Sequence, residues 1–119
     1  MTAAPWPRDL TYSRSTRLLT VTFDSGETFT LPAELLRVES PSAEVQGHGP
    51  GQKQIVAGKA QVEIERIEPV GRYAVRIVFN DGHNSGLYTW NYLHKLGREK
   101  DRLWDDYLAA LSARGLSRT

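Results

Sequence analysis

The chain has 119 residues, 39% hydrophobic and 24% charged, the composition of one globular domain rather than of a disordered or membrane-spanning protein. Fifteen basic against fourteen acidic residues leave a net charge of +1, which argues against a dedicated nucleic-acid binder. The absence of cysteine excludes disulfides, thiolate nucleophiles, cysteinyl zinc sites and a self-held iron–sulfur cluster, and residues 1–8 lack the charged-then-apolar order of a secretory signal, so a cytoplasmic protein that avoids membranes is expected.

Residues 1–7 carry two prolines and little pattern, and read as a loose tail ahead of the domain. Leu10 and Tyr12 alternate as in an edge strand. Leu19, Val21 and Phe23 alternate with Leu18, Thr20 and Thr22, which predicts a strand over 17–23. Asp24-Ser25-Gly26 is a turn in which Gly26 supplies a positive φ, and Glu27–Leu31 returns as the partner strand. Pro32 suits the start of a short helix, Ala33–Val38, with Leu35 and Leu36 inward. Residues 40–58, with Gly47, Gly49, Gly51, Gly58, Pro41 and Pro50, form a long loop; at least Ser40–Gln52 is expected to lack regular structure. Gln61–Val70 alternates again, and Tyr73, Val75, Ile77 and Phe79 share one strand face. Asn80–His83 turns, Ser85–Tyr88 returns, Thr89 caps a helix from Trp90 to Leu96, and Gly97 ends it. A last helix spans about 98–113, with Leu103, Trp104, Tyr107, Leu108 and Leu111 as its apolar stripe.

The expected fold is therefore one α+β domain: antiparallel hairpins packed with two short helices and a longer C-terminal helix. It contains an internal echo. Leu18–Arg37 and Tyr73–Leu96 both run strand, turn, strand, helix, and Phe23-Asp24-Ser25-Gly26 aligns with Phe79-Asn80-Asp81-Gly82. Two copies of one unit, or convergence on a common hairpin–helix unit, would both give this match.

The loop Glu39–Gln52 is the place to look for chemistry, because its glycines allow close approach and its side chains are polar. Several readings compete. It binds an anion through backbone N–H groups; it supplies Ser42 as nucleophile and His48 as base; it docks a protein; or it is a structural cover. A zinc or iron site built from His83, His48, Glu44 and Asp81 is a further reading, since imidazole and carboxylate suit both metals. His94, beside Tyr92 and Lys95, reads as a surface or capping histidine, and Trp90, Tyr92, Trp104 and Tyr107 as core packing.

Leu31-Pro32-Ala33-Glu34-Leu35-Leu36-Arg37-Val38-Glu39-Ser40-Pro41-Ser42-Ala43-Glu44-Val45, followed by Gly47-His48-Gly49, resembles a family of small bacterial proteins of unknown function similar to the N-terminal domain of gamma-butyrobetaine hydroxylase. The block Glu68-Pro69-Val70-Gly71-x-Tyr73-Ala74, then Phe79-x-Asp81-Gly82-His83-x-Ser85-Gly86-x-Tyr88-x-Trp90-x-Tyr92-Leu93, agrees, and the resemblance runs over about residues 8–112. It implies an accessory domain, since the hydroxylase carries its oxygenase barrel separately. It also implies a structural zinc held by three cysteines and a histidine. Those positions fall approximately on Ser40, Ser42, Val45 and His83, where only the histidine remains a ligand. The same domain type occurs fused to P-loop iron–sulfur carrier ATPases, which implies a partner of that kind and a link to iron–sulfur assembly.

The leading expectation is a non-catalytic accessory module with no cofactor of its own. It would dock a protein through Ser40, Ser42, Glu44, Gly47, His48, Gly49 and Gln52, together with the turn Asp81–Ser85. The alternative is the metal site at His83, His48, Glu44 and Asp81, and the third a small hydrolase using Ser42.

Overall fold

Two runs of alternating side chains set up two antiparallel sheets. The computed structural model describes residues 5–49 and 51–119; residues 1–4 of the expected tail, and Pro50, lie outside them. In the first sheet β1 (Pro7–Ser13) and β3 (Thr28–Pro32) flank β2 (Leu18–Phe23). The chain then enters α1 (Ala33–Val38) and the single turn α2 (Ala43–Gln46). In the second sheet β4 (Ile64–Val70) and β6 (Leu87–Thr89) flank β5 (Ala74–Phe79), and α3 (Trp90–Arg98) and α4 (Lys100–Ala113) follow. The fold is α+β, with two antiparallel three-stranded sheets, short helices and a longer C-terminal helix. No helix among the described residues is long and apolar enough to cross a membrane.

The internal echo is structural and extends to the first strand of each unit. Pro7 opposes Phe23 and Leu10 opposes Val21 across a bulge; Ile64 opposes Phe79 and Ile67 opposes Ile77 across another. In both hairpins the phenylalanine N–H donates to the residue closing the turn, Glu27 at 2.8 Å and His83 at 2.9 Å. Gly26 and Gly82 sit at φ of +92° and +93°, a conformation that L side chains resist. Both helices are entered alike: the Ala33 N–H donates to the Arg17 carbonyl and the Trp90 N–H to the Tyr73 carbonyl. Leu36 and Leu93 are the equivalent buried leucines.

The units share one core, with Leu19, Val21, Phe23, Ile64, Ile77 and Phe79 from the sheets and Leu35, Leu36, Leu93 and Leu96 from the helices. Each unit's helix is held by the other unit. On α3, Gly97 lies against Phe29, and His94 packs edge-on to Phe23 and Phe29 with its Nε2 2.9 Å from Glu27. The hydroxyls of Tyr88 and Tyr92 donate to the carbonyls of Leu36 and Glu39 at the end of α1. A smaller cluster of Val38, Tyr107 and Leu111 seats α4.

Several expectations are corrected. Pro7 already belongs to β1, and the Trp6 carbonyl accepts from the Asp24 N–H at 2.9 Å, so the chain is pinned before residue 8. Gly97 does not end its helix; it is a contact point inside α3. Tyr73 and Leu108 face solvent, while Val78 and Ala74, on the other side of β5, are buried although Arg76 between them is exposed. His94 is a packing histidine rather than a surface one. The loop 40–52 holds α2, capped by Ser42, whose Oγ accepts from the Glu44 N–H at 3.2 Å.

Candidate functional site

Two segments, one from each unit, meet beside α1: residues 39–46 and the β5–β6 connection 81–86. Ser40 Oγ lies 2.9 Å from His83 Nε2, and His83 Nδ1 lies 3.2 Å from Glu44 Oε2. The Ser85 hydroxyl donates to Glu44 Oε1 at 3.2 Å and sits 2.7 Å from Ser42 Oγ. An ionised Glu44 only accepts, so His83 carries its proton on Nδ1 and Nε2 accepts from Ser40. Ser40 Oγ in turn accepts from the Ser42 N–H at 3.3 Å. Burial pushes the His83 ring below its ordinary pKa, the Arg37 charge adds to that, and Glu44 opposes it.

Asp81 closes the network from below. Its Oδ1 accepts from the His83 N–H at 3.0 Å, and its Oδ2 meets Arg37 Nε at 2.8 Å and Lys59 Nζ at 2.6 Å. Burial by itself would raise this carboxyl. The hydrogen bonds from Lys59, the His83 amide and Arg37 outweigh it and hold Asp81 far below the usual carboxylate range. Glu39, unlike Asp81, is a buried carboxylate, and it is bound by Lys53 Nζ at 2.7 Å. Together with the Glu34–Arg118 pair at 2.7 Å, the three charged pairs tie the short α1 to the loop, the C-terminal segment and the second hairpin.

The order hydroxyl, imidazole, carboxylate is the one hydrolases use to activate serine. Here it is shut. Ser40 is 0% exposed, and a Cβ built on Gly86 would stand 2.5 Å from its Oγ, so the backbone of Gly86 occupies the place an acyl group would need. The pairing of Ser42 with His48 is not made: Ser42 Oγ is engaged by Ser85 and the α2 amide, and His48 is exposed, its N–H donating to Gln52 Oε1 at 2.9 Å.

Of the four nominated metal ligands, Glu44 meets the His83 ring and Asp81 meets only the His83 backbone N–H, while His48 stands apart in the 47–52 turn. No group of three or more His, Cys, Asp or Glu placed to hold a metal occurs among the described residues. The chemistry is also unfavourable: both His83 ring nitrogens are engaged by Ser40 and Glu44, and Asp81 is paired with two cations. A zinc of the family type does not fit either. Two of its four positions are hydroxyls, the third, Val45, is a buried alkyl chain, and the hydrogen bond to Ser40 takes up the Nε2 lone pair of His83.

Among the nominated docking residues, Ser40 and Ser42 turn inward and are buried. Glu44, His48 and Gln52 are exposed, and Gly47 is needed where it is, at φ +74° with Gln52 packed over it. Sequence reasoning placed Ser85 in the working surface but missed Arg37, Lys59, Gly86, Tyr88 and Tyr92 as members of the network. Four of these five lie inside the two blocks that carry the family resemblance, which was the available signal; Lys59 lies outside them.

An α+β domain of two similar hairpin–helix units on one shared apolar core, with a closed polar network beside α1, is the class that fold and site define. The chain belongs to the gamma-butyrobetaine hydroxylase-like N-terminal family, whose model matches residues 10–94. Two NMR solution structures are similar to it, each with a TM-score of 0.84. One shares 45% identity over 98% of this chain and 91% of its own, the other 48% over 99% and 90%. A crystal structure of a protein of unknown function from Acidithiobacillus ferrooxidans, of the DUF971 family, shares 40% identity over 76% of this chain and 91% of its own, with a TM-score of 0.65. No curated protein matches the chain.

Proposed function

We propose that this domain is a non-catalytic accessory module that docks a protein partner through the exposed rim of the network: Glu44, His48 and Gln52 with the turn Asp81–Ser85. One observation carries the reading. The groups that could do chemistry are locked against each other, with Ser40 buried beneath Gly86 and both ring nitrogens of His83 bonded, whereas the rim side chains stand on a braced backbone. A rigid polar rim loses little conformational entropy on binding, which favours recognition. The family resemblance adds the kind of partner, a P-loop iron–sulfur carrier ATPase, whose cluster would be held by the partner's own sulfur.

Calorimetric titration against such an ATPase tests this. The expected result is saturable binding that E44K/H48A/Q52A weakens by about tenfold or more, the equivalent of ~1.4 kcal/mol. Binding that the triple variant leaves unchanged refutes the assigned surface, and turnover of an acyl ester by the isolated chain refutes the non-catalytic reading.

A further inference from the structure

A second surface lies outside the polar network and shares no residue with it. β1 and β4 are the outer strands of their sheets, and each pairs on one side only. Their open edges face each other. At one end they are bridged by side chains: the Ile64 N–H donates to the Tyr12 hydroxyl at 3.1 Å, and Arg14 Nη2 donates to the Glu65 carbonyl at 3.3 Å. Among the described residues no backbone hydrogen bond joins the two strands. Toward the start of β1 and the end of β4 they part around a cleft of about 500 Å³.

The cleft is apolar on its floor and aromatic on its walls. Leu10, Ile67 and Val75 line the bottom, and Trp6 and Trp90 stand at one side with ring centroids 6.3 Å apart in an edge-on arrangement. The Trp90 ring is held by its Nε1 donating to the Arg72 carbonyl at 2.8 Å, and Trp6 is held through its backbone, whose carbonyl accepts from the Asp24 N–H. Trp6 is nevertheless 50% exposed, an unusual amount of apolar ring for solvent to cover. Arg8 and Arg72 line the same cleft and form no ion pair among the described residues, against the single carboxylate of Asp9.

We propose that this cleft receives an extended acidic peptide segment from a partner protein, laid as a strand between β1 and β4. The unpaired strand edges supply backbone hydrogen bonds, chiefly through their carbonyls because Pro7 and Pro69 carry no N–H, and these select an extended chain and not a helix. The tryptophan wall takes an apolar or aromatic side chain on alternate positions, and Arg8 and Arg72 take the carboxylates between them. The open stretch, Pro7–Leu10 against Ile67–Val70, accommodates about four residues of strand at roughly 3.3 Å each. So short a contact makes a weak, exchangeable site rather than a permanent assembly.

The probe is a blocked eight-residue peptide alternating tyrosine or valine with glutamate, and the same peptide with lysine for glutamate. Titration into the full chain is followed by tryptophan fluorescence and amide chemical shifts. The expected result is saturable binding of the glutamate peptide with a Kd on the order of 100 µM. Shifts fall on β1, β4 and residues 72 and 90, and R8E/R72E weakens binding by about tenfold while the thermal midpoint stays unchanged. W6A, checked for an intact fold by circular dichroism, weakens it likewise. No saturable binding up to about 1 mM, equal binding of the lysine peptide, or shifts confined to residues 44–52 would each overturn the proposal. So would Trp6-dependent self-association in sedimentation, which would make a second copy of the chain the occupant.

Discussion

The shut state of the Ser40–His83 pair rests on one residue without a side chain, and adding a single methyl there tests it. In G86A the new Cβ would fall 2.5 Å from Ser40 Oγ, 3.1 Å from Tyr88 Cε1 and 3.4 Å from Pro41 Cδ. Gly86 is not among the positive-φ glycines, so alanine fits its backbone and would by itself gain about 0.4–1 kcal/mol from a less disordered unfolded chain. The contact acts the other way. Ser40 cannot retreat without stretching its bonds to His83 Nε2 and the Ser42 N–H, and Tyr88 is fully buried. Overpacking of this kind costs about 1–3 kcal/mol; a 2.5 Å approach to a hydroxyl held on two sides belongs to the upper half of that range, so the net loss is about 1–2.5 kcal/mol. For a chain of this length that lowers the melting temperature by roughly 4–10 °C, readable by calorimetry. S40A relieves the clash but strands the imidazole nitrogen, about 1–3 kcal/mol by itself. The double variant S40A/G86A is therefore expected to lose less than the sum, with a coupling of about 1 kcal/mol or more. A G86A melting point within about 1 °C of the parent, or simple additivity in the cycle, would refute the packing argument.

Two further outcomes follow from the same reasoning. Helix propensity favours G97A by about 1 kcal/mol, yet its Cβ would sit 2.3 Å from Phe29 Cγ; the collision outweighs the propensity, so urea unfolding should show a net loss, and a gain would refute the α3–β3 contact. The ring of His83 titrates below its ordinary 6.5, chiefly through burial, so the unfolded chain binds the extra proton first. The stability it confers is complete above about pH 6.5 and drains away as the pH falls toward the folded-state value. The melting temperature should decline through that window, with a shallower slope in H83Q; identical slopes would contradict the buried neutral imidazole facing Arg37, Glu44 and Asp81.

The hairpins were legible because alternation and turn chemistry are local. Leu19, Val21 and Phe23 declare one face, and Gly26 and Gly82 mark the two turns. Thr89 was readable as a cap, and its Oγ1 accepts from the Tyr92 N–H at 3.1 Å. The misreadings share a cause. Gly97 looks like a helix stop by composition, but its role is set by Phe29, far away in sequence. The single turn α2 is too short to leave any periodicity. For the site, His83, Glu44 and Asp81 were chosen by chemical type; the fold brings Glu44 to the His83 ring and Asp81 to its backbone N–H. His48 was chosen on the same ground and stands apart, since nothing in an irregular segment fixes direction. Whether a carboxylate is available to a cation depends on its neighbours, and Arg37 and Lys59 could be assigned to Asp81 only in three dimensions.

The two units exchange their covers. α3, which belongs to the second, lies on Phe29 of the first, while α1 of the first is fastened by Asp81, Tyr88 and Tyr92 of the second. Neither half is self-sufficient: separated, each would present a bare sheet and a short helix with nothing to lean on. In mechanical terms the domain is an intramolecular dimer, and the stretch between the halves is stitched into their seam rather than left as a hinge.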